Sequence, residues 1–317
     1  MVVPVYNSEE TLEELVTRLR ATLLAGGSAF GGTRPTQMES GTRPALEIIL
    51  VNDGSRDGSW DVVQRLAAAH PEVRGISLAR NHGQHNALLC GIREARGRVI
   101  VTMDDDLQNR PEDVPSLIAR VNDGYDVVYG VPRQQQWGLM RNLASRVTKI
   151  VLQSAMGART ASMVSGFRAM RADVRDAFAG YSSMFVNIDV LLTWGASRFD
   201  LVIVDYEPRR VGRSNYTFRA LVRHTFNMVT GFSTLPLKLA TGVGFGFTLF
   251  GIGVLAYVIG RYLIQGVAVP GFAFLASIIA IFSGAQLFAL GIFGEYLARV
   301  FHRSTGQPSY TVRERTT

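Results

Sequence analysis

Hydrophobic positions in this chain follow two regimes. Over the first two thirds, short apolar runs alternate with amphipathic stretches. Residues 2–5, 47–51, 73–78, 99–103 and 126–129 are rich in β-branched side chains and end at Gly, Asn, Asp or Arg, the pattern of buried strands. Between them the spacing predicts a helix after Ser8, one over 61–69, one ending near Ala95, and one with Pro111 just inside its start. Ser8 is expected to cap the first, with Glu9 and Glu10 in its first turn, where the helix dipole favours acid. This alternation predicts an α/β fold, a mostly parallel sheet with helices on both faces. Residues 26–44 break the rhythm. They are rich in Gly, Ser, Thr and Pro and read as a flexible surface insertion. A weak glycine pattern there follows no strand, so no dinucleotide loop is assigned.

The last third is different. Residues 237–264 are apolar apart from Lys238 and Arg261, and residues 272–297 apart from Gln286 and Glu295. Each run exceeds the roughly 20 residues needed to cross a bilayer core. Arg219, Arg223 and Lys238 precede the first run, and Arg299 and Arg303 follow the second. The connection 265–271 carries no charge. Positive-inside logic therefore expects a hairpin with both termini in the cytoplasm. Ahead of it, residues 216–235 mix Phe218, Leu221, Val222 and Phe226 with Arg219, Arg223 and His224, the pattern of an amphipathic interfacial helix.

Composition narrows the picture. The 317 residues carry 33 Lys+Arg against 26 Asp+Glu, a net charge of +7. A basic balance suits nucleic acid, anionic membrane or phosphate substrates. No zinc-finger spacing, stacking-aromatic motif or basic tail is present, so nucleic acid is the weakest partner class. The single cysteine, Cys90, excludes an internal disulfide and fits a reducing compartment. It sits in an apolar helical stretch and reads as core filler. No secretory signal peptide opens the chain, and Val2-Val3 already looks like mid-strand, which leaves the start site open.

The candidate chemistry lies at strand ends. Asp104-Asp105-Asp106 closes the 99–103 run, and Gln108 adds a neutral oxygen two positions on. Hard oxygen ligands at this spacing suit a divalent ion that keeps much of its water and shares the rest with a substrate phosphate. A solvated acidic turn is the plain alternative. Tyr6-Asn7, Asp53-Gly54-Ser55 and Arg80-Asn81 close three other strands. In a parallel sheet such ends share one edge and converge on one ligand. Asp53 can accept from a nucleobase N–H. Gly54 permits close backbone approach, and Arg80 can neutralise a diphosphate or order the carboxylates. Taken alone, Asn52-Asp53-Gly54-Ser55 is an ordinary turn. His82 and His85 have too few His or Cys partners for zinc and read as loop-capping or donor contacts.

The ordered set Val3-Pro4-Val5-Tyr6-Asn7, Asn52-Asp53-Gly54-Ser55-Arg56-Asp57, Arg80-Asn81-His82-Gly83-Gln84 and Asp104-Asp105-Asp106-Leu107-Gln108 resembles the inverting family 2 glycosyltransferases of GT-A fold. Gly124-Tyr125-Asp126, Gly212-Arg213-Ser214-Asn215-Tyr216, Gly294-Glu295-Tyr296-Leu297 and Pro308-Ser309-Tyr310, with the apolar hairpin, look like the polyprenyl-phosphate glycosyltransferases within them.

The resemblance implies a cytoplasmic GT-A domain over 1–214, an interfacial amphipathic helix over 215–235, a transmembrane hairpin over 236–299 and a cytoplasmic tail over 300–317. It implies transfer of a sugar, with inversion, from a nucleotide-sugar donor, expected to be UDP-linked, to undecaprenyl phosphate in a bacterial inner membrane. Pro4, Tyr6, Asn7, Asp53, Gly54, Ser55, Asp57, Arg80 and Asp104 would contact the donor. Asp104, Asp106 and Gln108 would hold Mg²⁺ or Mn²⁺. Asp104, Asp106 and Arg168 would be catalytic. Arg133, Arg141, Ser145, Arg209, Arg210 and Ser214 would grip the acceptor phosphate. Relatives form tetramers through their membrane regions, so a homo-oligomer is implied. Three positions depart from the family pattern. Asn215 stands where many relatives have lysine, and Gly166 where some carry an aspartate proposed as catalytic. Asp105 stands where alanine is common, its charge expected to face solvent. A glycan-extending synthase usually needs more spans and a Gln-x-x-Arg-Trp motif, and neither is present. A non-catalytic membrane scaffold is opposed by the intact Asp104, Asp106 and Gln108.

Overall fold

The computed structural model describes residues 1–25, 46–133, 153, 157–183, 185–207, 235–265 and 271–316. Two compact units emerge, Met1–Thr217 with Gly306–Thr317, and Phe218–Thr305. In the first, strands β1 (Val2–Val5), β2 (Ile48–Asn52), β3 (Val73–Leu78) and β4 (Val99–Thr102) alternate with helices α1 (Leu12–Ala25), α2 (Ser59–Ala69) and α3 (Gln84–Glu94). Then follow α4 (Val114–Asn122), β5 (Val127–Pro132), α5 (Ala158–Met163), β6 (Arg168–Arg171), α6 (Ile188–Gly195) and β7 (Phe199–Val204). After the second unit the chain returns to the first with β8 (Val312–Arg315). The eight strands form one sheet in the order β7-β5-β6-β4-β1-β2-β3-β8.

Pairing is parallel for β1–β2, β1–β4, β2–β3 and β5–β7. β6 runs antiparallel to both β4 and β5. The direction therefore reverses twice across β6, and β5 and β7 point the same way as β1 to β4. All six of these strands deliver their C-terminal ends to one edge. β6 begins at that edge, so Ser165-Gly166-Phe167 arrives there as well.

Alternation along each strand builds a core on both faces. Val2, Ile49, Val51 and Ile76 pack with α3 and α6, while Val3, Val5, Ile48 and Leu50 pack with α1, α2 and α4. Each such side chain, fully removed from water, contributes roughly 1.5–3 kcal/mol. Cys90 lies in the first of these clusters, and burial pushes its thiol up to about 12, in keeping with core filler.

Three local expectations change. The first helix starts at Leu12, so Ser8 does not cap it. Glu13 and Glu14, not Glu9 and Glu10, occupy its first turn. Pro111 opens a 3₁₀ turn, Pro111–Asp113, before α4 begins. Within the segment read as a tail, β8 pairs antiparallel with β3.

The second unit holds helices α7 (Leu235–Gln265) and α8 (Phe272–Ser304). Each contains a stretch long and apolar enough to cross a membrane, Pro236–Ile264 and Ile281–Phe301, with none of the apolar window buried. The insertion 26–44 and most of the expected interfacial helix, 216–234, lie outside the described residues.

Candidate active site

The chain lays β1, β2 and β3 down in one direction, then places β4 on the other side of β1. Such a reversal leaves a crevice at the strand ends, where α/β sheets bind ligands. Pro4 helps to open it. Val2 is the one β1 residue paired with β4, and its carbonyl accepts from Met103 N–H at 3.2 Å. Pro4, two residues on, faces the same way and has no N–H to give. The expected donor residue Pro4 is thus buried within β1, opposite Val51 of β2.

Asp105 joins the two sides of that crevice. Its carboxylate accepts from Tyr6 N–H at 3.1 Å and from the Ser8 hydroxyl, and its carbonyl accepts from the Thr11 hydroxyl at 2.7 Å. The expectation of a solvent-facing Asp105 is corrected. Burial raises its pKa, and the Ser8 and Tyr6 donors pull it back. Ser8 is unavailable as a helix cap because it serves here.

Beside this staple the β1 and β2 loops interlock. Asn7 N–H donates to Ser55 Oγ at 3.0 Å, and Arg56 N–H donates to Asn7 Oδ1 at 2.9 Å. Asp57 accepts from the N–H (3.2 Å) and hydroxyl (2.6 Å) of Ser59 at the start of α2. Gly54 has φ +65°, and a Cβ there would lie 2.6 Å from Asn81 N, so the β2 and β3 loops touch only through glycine. Asp53 is buried and accepts from His82 N–H at 2.7 Å and Gly83 N–H at 2.8 Å. Burial pushes its pKa up to about 6 against those two donors. Tyr6 stays 39% exposed. Arg80 is exposed, with no ion pair among the described residues, which leaves its guanidinium available to an anion.

Asp104 and Asp106 are half-buried at the end of β4. Asp104 Oδ1 accepts from Gln84 Nε2 at 2.6 Å, and Asp106 Oδ1 from Gln108 N–H at 3.2 Å. Leu107, between Asp106 and Gln108, has φ +58°, a region a bulky side chain rarely enters, and Asn7 has φ +54°. Such strain costs of order 1–3 kcal/mol at a residue like leucine and gathers at functional loops. Gly166 faces the Asp104 carboxylate, where an added Cβ would lie 3.0 Å from Oδ2. The position therefore keeps space open beside Asp104. Asp104, Asp106 and Gln108 bring two carboxylates and an amide oxygen to one loop, donor chemistry of the kind that suits Mg²⁺ or Mn²⁺ with substrate oxygens and water completing the shell. No group of three His, Cys, Asp or Glu among the described residues offers a protein-only cage.

Arg168 is not among these groups. Its guanidinium is buried, ion-paired with Asp189 and bonded to Thr102 Oγ1 at 3.1 Å, and Thr102 Oγ1 in turn donates to Gly166 O at 2.9 Å. Enclosed this way, it positions the Gly166 turn behind Asp104 and touches no open site. His85 Nδ1 accepts from Ile188 N–H at 3.3 Å, a structural role. Sequence reasoning missed Tyr206, whose hydroxyl donates to Gln108 Oε1 at 2.7 Å. Glu207 N–H also donates to Gln108 O at 2.9 Å. An aromatic residue just past an apolar run was the only signal. Arg133 lies exposed at the end of β5, on the same edge, and its N–H reaches Val204 O at 3.3 Å. Arg141, Ser145, Arg209, Arg210 and Ser214 lie outside the described residues.

The family model for glycosyl transferase family 2 matches residues 1–186. An undecaprenyl-phosphate 4-deoxy-4-formamido-L-arabinose transferase of Shewanella sediminis is 34% identical over 99% of this chain and 91% of its own length. One of the same name from Pseudomonas savastanoi pv. phaseolicola is 32% identical over 99% of this chain and 89% of its own. A solved glucosyl-3-phosphoglycerate synthase from Mycobacterium tuberculosis overlays 72% of this chain and 75% of that chain, with TM-score 0.49 and 17% identity, too distant to carry function. With near full-length relatives of this kind, and a family model over more than half its length, the chain belongs to glycosyl transferase family 2, in the polyprenyl-phosphate branch its motifs resemble.

Proposed function

We propose that this protein transfers a sugar from a UDP-linked donor to undecaprenyl phosphate, inverting the anomeric centre, at the cytoplasmic face of a bacterial inner membrane. The observation that supports this most is the meeting of Asp53, Asp104, Asp106 and Arg80 along one strand-end edge, in a chain that also carries two long apolar helices. Near full-length relatives bear the matching name.

In this reading the donor lies across the β1–β4 crevice. Asp53 and the loop it holds meet the nucleoside, with Tyr6, Asn7, Gly54, Ser55 and Asp57 shaping that side. Arg80 offsets diphosphate charge. Asp104, Asp106 and Gln108 would hold Mg²⁺ or Mn²⁺. When bound, the ion supplies Lewis-acid stabilisation to the departing diphosphate. An acceptor phosphate oxygen bonds to the anomeric carbon from the opposite face as the bond to the diphosphate breaks. A lipid monophosphate with a second pKa near 6 is largely dianionic at neutral pH, so it needs no strong base. Gly166 in place of a carboxylate is consistent with that economy. The harder task is bringing two anions together, which suits Arg133, Arg141, Ser145, Arg209, Arg210 and Ser214, with guanidinium geometry matched to phosphate. The apolar helices span the membrane as a hairpin, termini inward, and the protein assembles as a homo-oligomer.

The test is incubation of purified protein and undecaprenyl phosphate with a panel of UDP- and GDP-sugars, followed by mass spectrometry of the lipids. A glycosylated undecaprenyl phosphate is expected with a UDP-sugar and is lost reversibly in EDTA. No lipid product from any donor overturns the reading.

A further inference from the structure

The chain leaves the α/β unit for the apolar helices and then comes back. The returning segment is anchored at several points. Ser309 is buried, and its hydroxyl oxygen accepts from Ser183 N–H at 3.1 Å. Gln307 O accepts from Ser182 Oγ at 3.0 Å. Tyr310 packs on the core beneath Arg93, whose guanidinium carbon is 5.8 Å from the ring centre. Arg315 pairs with Glu94 at 2.8 Å, Thr316 N–H donates to Gly75 O at 2.9 Å, and Gly75 N–H donates to Thr316 Oγ1 at 2.8 Å. Between these anchors, Thr311 meets the loop after β3. Its carbonyl accepts from Ala79 N–H at 2.8 Å, and its N–H donates to His82 Nε2 at 3.4 Å.

That loop is the one the candidate site depends on. His82 and Gly83 give Asp53 both of its backbone donors, Asn86 Nδ2 donates to His82 O at 2.6 Å, and Gln84 holds Asp104. His82 also tends to stay neutral, because burial and the nearby Arg80 lower its pKa, so Nε2 is free to accept. One strap thus reaches, through residues 79–84, both the buried Asp53 and the carboxylate Asp104. We propose that Thr311, immediately before β8, is a positioning residue of the nucleotide site, holding the Arg80–Gln84 loop in the shape that binds the donor. This rests on the nucleotide-sugar reading of that site. A strand that merely covered the edge of β3 would protect against pairing with other chains. It would not need to reach the loop beyond the strand.

Calorimetric titration of the full chain in detergent with UDP, and separately GDP, in the presence of Mn²⁺ tests this. Thr311→Pro removes the N–H, and His82→Phe removes the ring acceptor while keeping the backbone donor to Asp53. Each is expected to weaken UDP binding about fivefold, the scale of one neutral hydrogen bond. His82→Gln, which keeps an acceptor, is expected to retain most of the affinity. If Thr311→Pro does not fold, the His82 pair decides. Unchanged UDP affinity in His82→Phe overturns the proposal and leaves the nucleotide reading standing. A lower melting temperature with unchanged affinity also overturns it, since that is the mark of edge covering alone. Wild-type protein that binds neither UDP nor GDP overturns the nucleotide reading itself, and the proposal falls with it.

Discussion

The α/β unit hides its apolar side chains and the helical unit displays them. Val3, Ile49 and Leu50 are 0% exposed, whereas Ile264 is 84%, Leu263 76% and Leu287 68% exposed. The residue types are the same, and what differs is the medium each surface suits. In the α/β unit, the strand ends gather polar loops that hydrogen bonds hold in shape, as His82 and Gly83 do for Asp53. In α7 and α8 the backbone satisfies itself, and Thr241 and Thr248 turn their hydroxyls back to Leu237 O and Gly244 O, each at 2.9 Å. That is what hydrocarbon demands of a hydroxyl without water. Charge sits toward the helix ends, as in the Glu295–Arg299 pair at 2.9 Å. One unit is thus suited to do chemistry and the other to stay in lipid.

The strongest way to break this division is at Asp106. Asp106→Asn is expected to cut transfer by on the order of a thousandfold, several kcal/mol of transition-state stabilisation. Thermal unfolding should stay within error of wild type, because the side chain is half-exposed and lies outside both core clusters. Full activity in Asp106→Asn would place the chemistry elsewhere.

A paired truncation sharpens the comparison. Leu50→Ala empties a site at 0% exposure in β2 and should cost about 2–5 kcal/mol in chemical denaturation. Leu287→Ala, at 68% exposure in α8, should cost under about 1 kcal/mol in the same detergent-solubilised protein. Equal losses would show that the Leu287 face is packed against protein.

The first four strands were legible because β1 to β4 are β-branched runs bounded by turn residues. The apolar helices were legible from length alone. β6, Arg168-Ala169-Met170-Arg171, was not, since arginine brackets it and no β-branched residue marks it. Its burial is a tertiary matter, made possible by Asp189 neutralising Arg168. β8, Val-Arg-Glu-Arg, is a charged edge strand with a single apolar residue, Val312, to announce it. β7 and α6 were likewise not anticipated. In the site, Asp104, Asp106 and Asp53 could be read because each follows its own strand. Tyr206 and Thr311 could not, being brought to Gln108 and His82 from 98 and 229 residues away. Asp105 misled for the same reason, because its partners are on β1's loop.

The smallest expected effect concerns pH, and here stability and binding should part. Burial pushes Asp53 up to about 6, above the roughly 3.9 of an unfolded aspartate. Folding therefore favours its protonated form. This contribution to stability is fully present below about pH 4 and is lost as pH rises through 6. The loop has the opposite preference. An ionised Asp53 offers both oxygens to His82 N–H and Gly83 N–H, while a protonated one turns one oxygen into a hydroxyl and accepts less well. Affinity for UDP with Mn²⁺ should thus fall about threefold between pH 7.5 and 5, the scale of one weakened hydrogen bond. Titration of the nucleotide itself contributes to any raw profile. Asp53→Asn shares that contribution and lacks the carboxylate, so the ratio of the two affinities isolates Asp53. The ratio should favour wild type at pH 7.5 and shrink with a midpoint near 6. A ratio that stays flat from pH 5 to 8 would mean the charge of Asp53 plays no part in holding the loop.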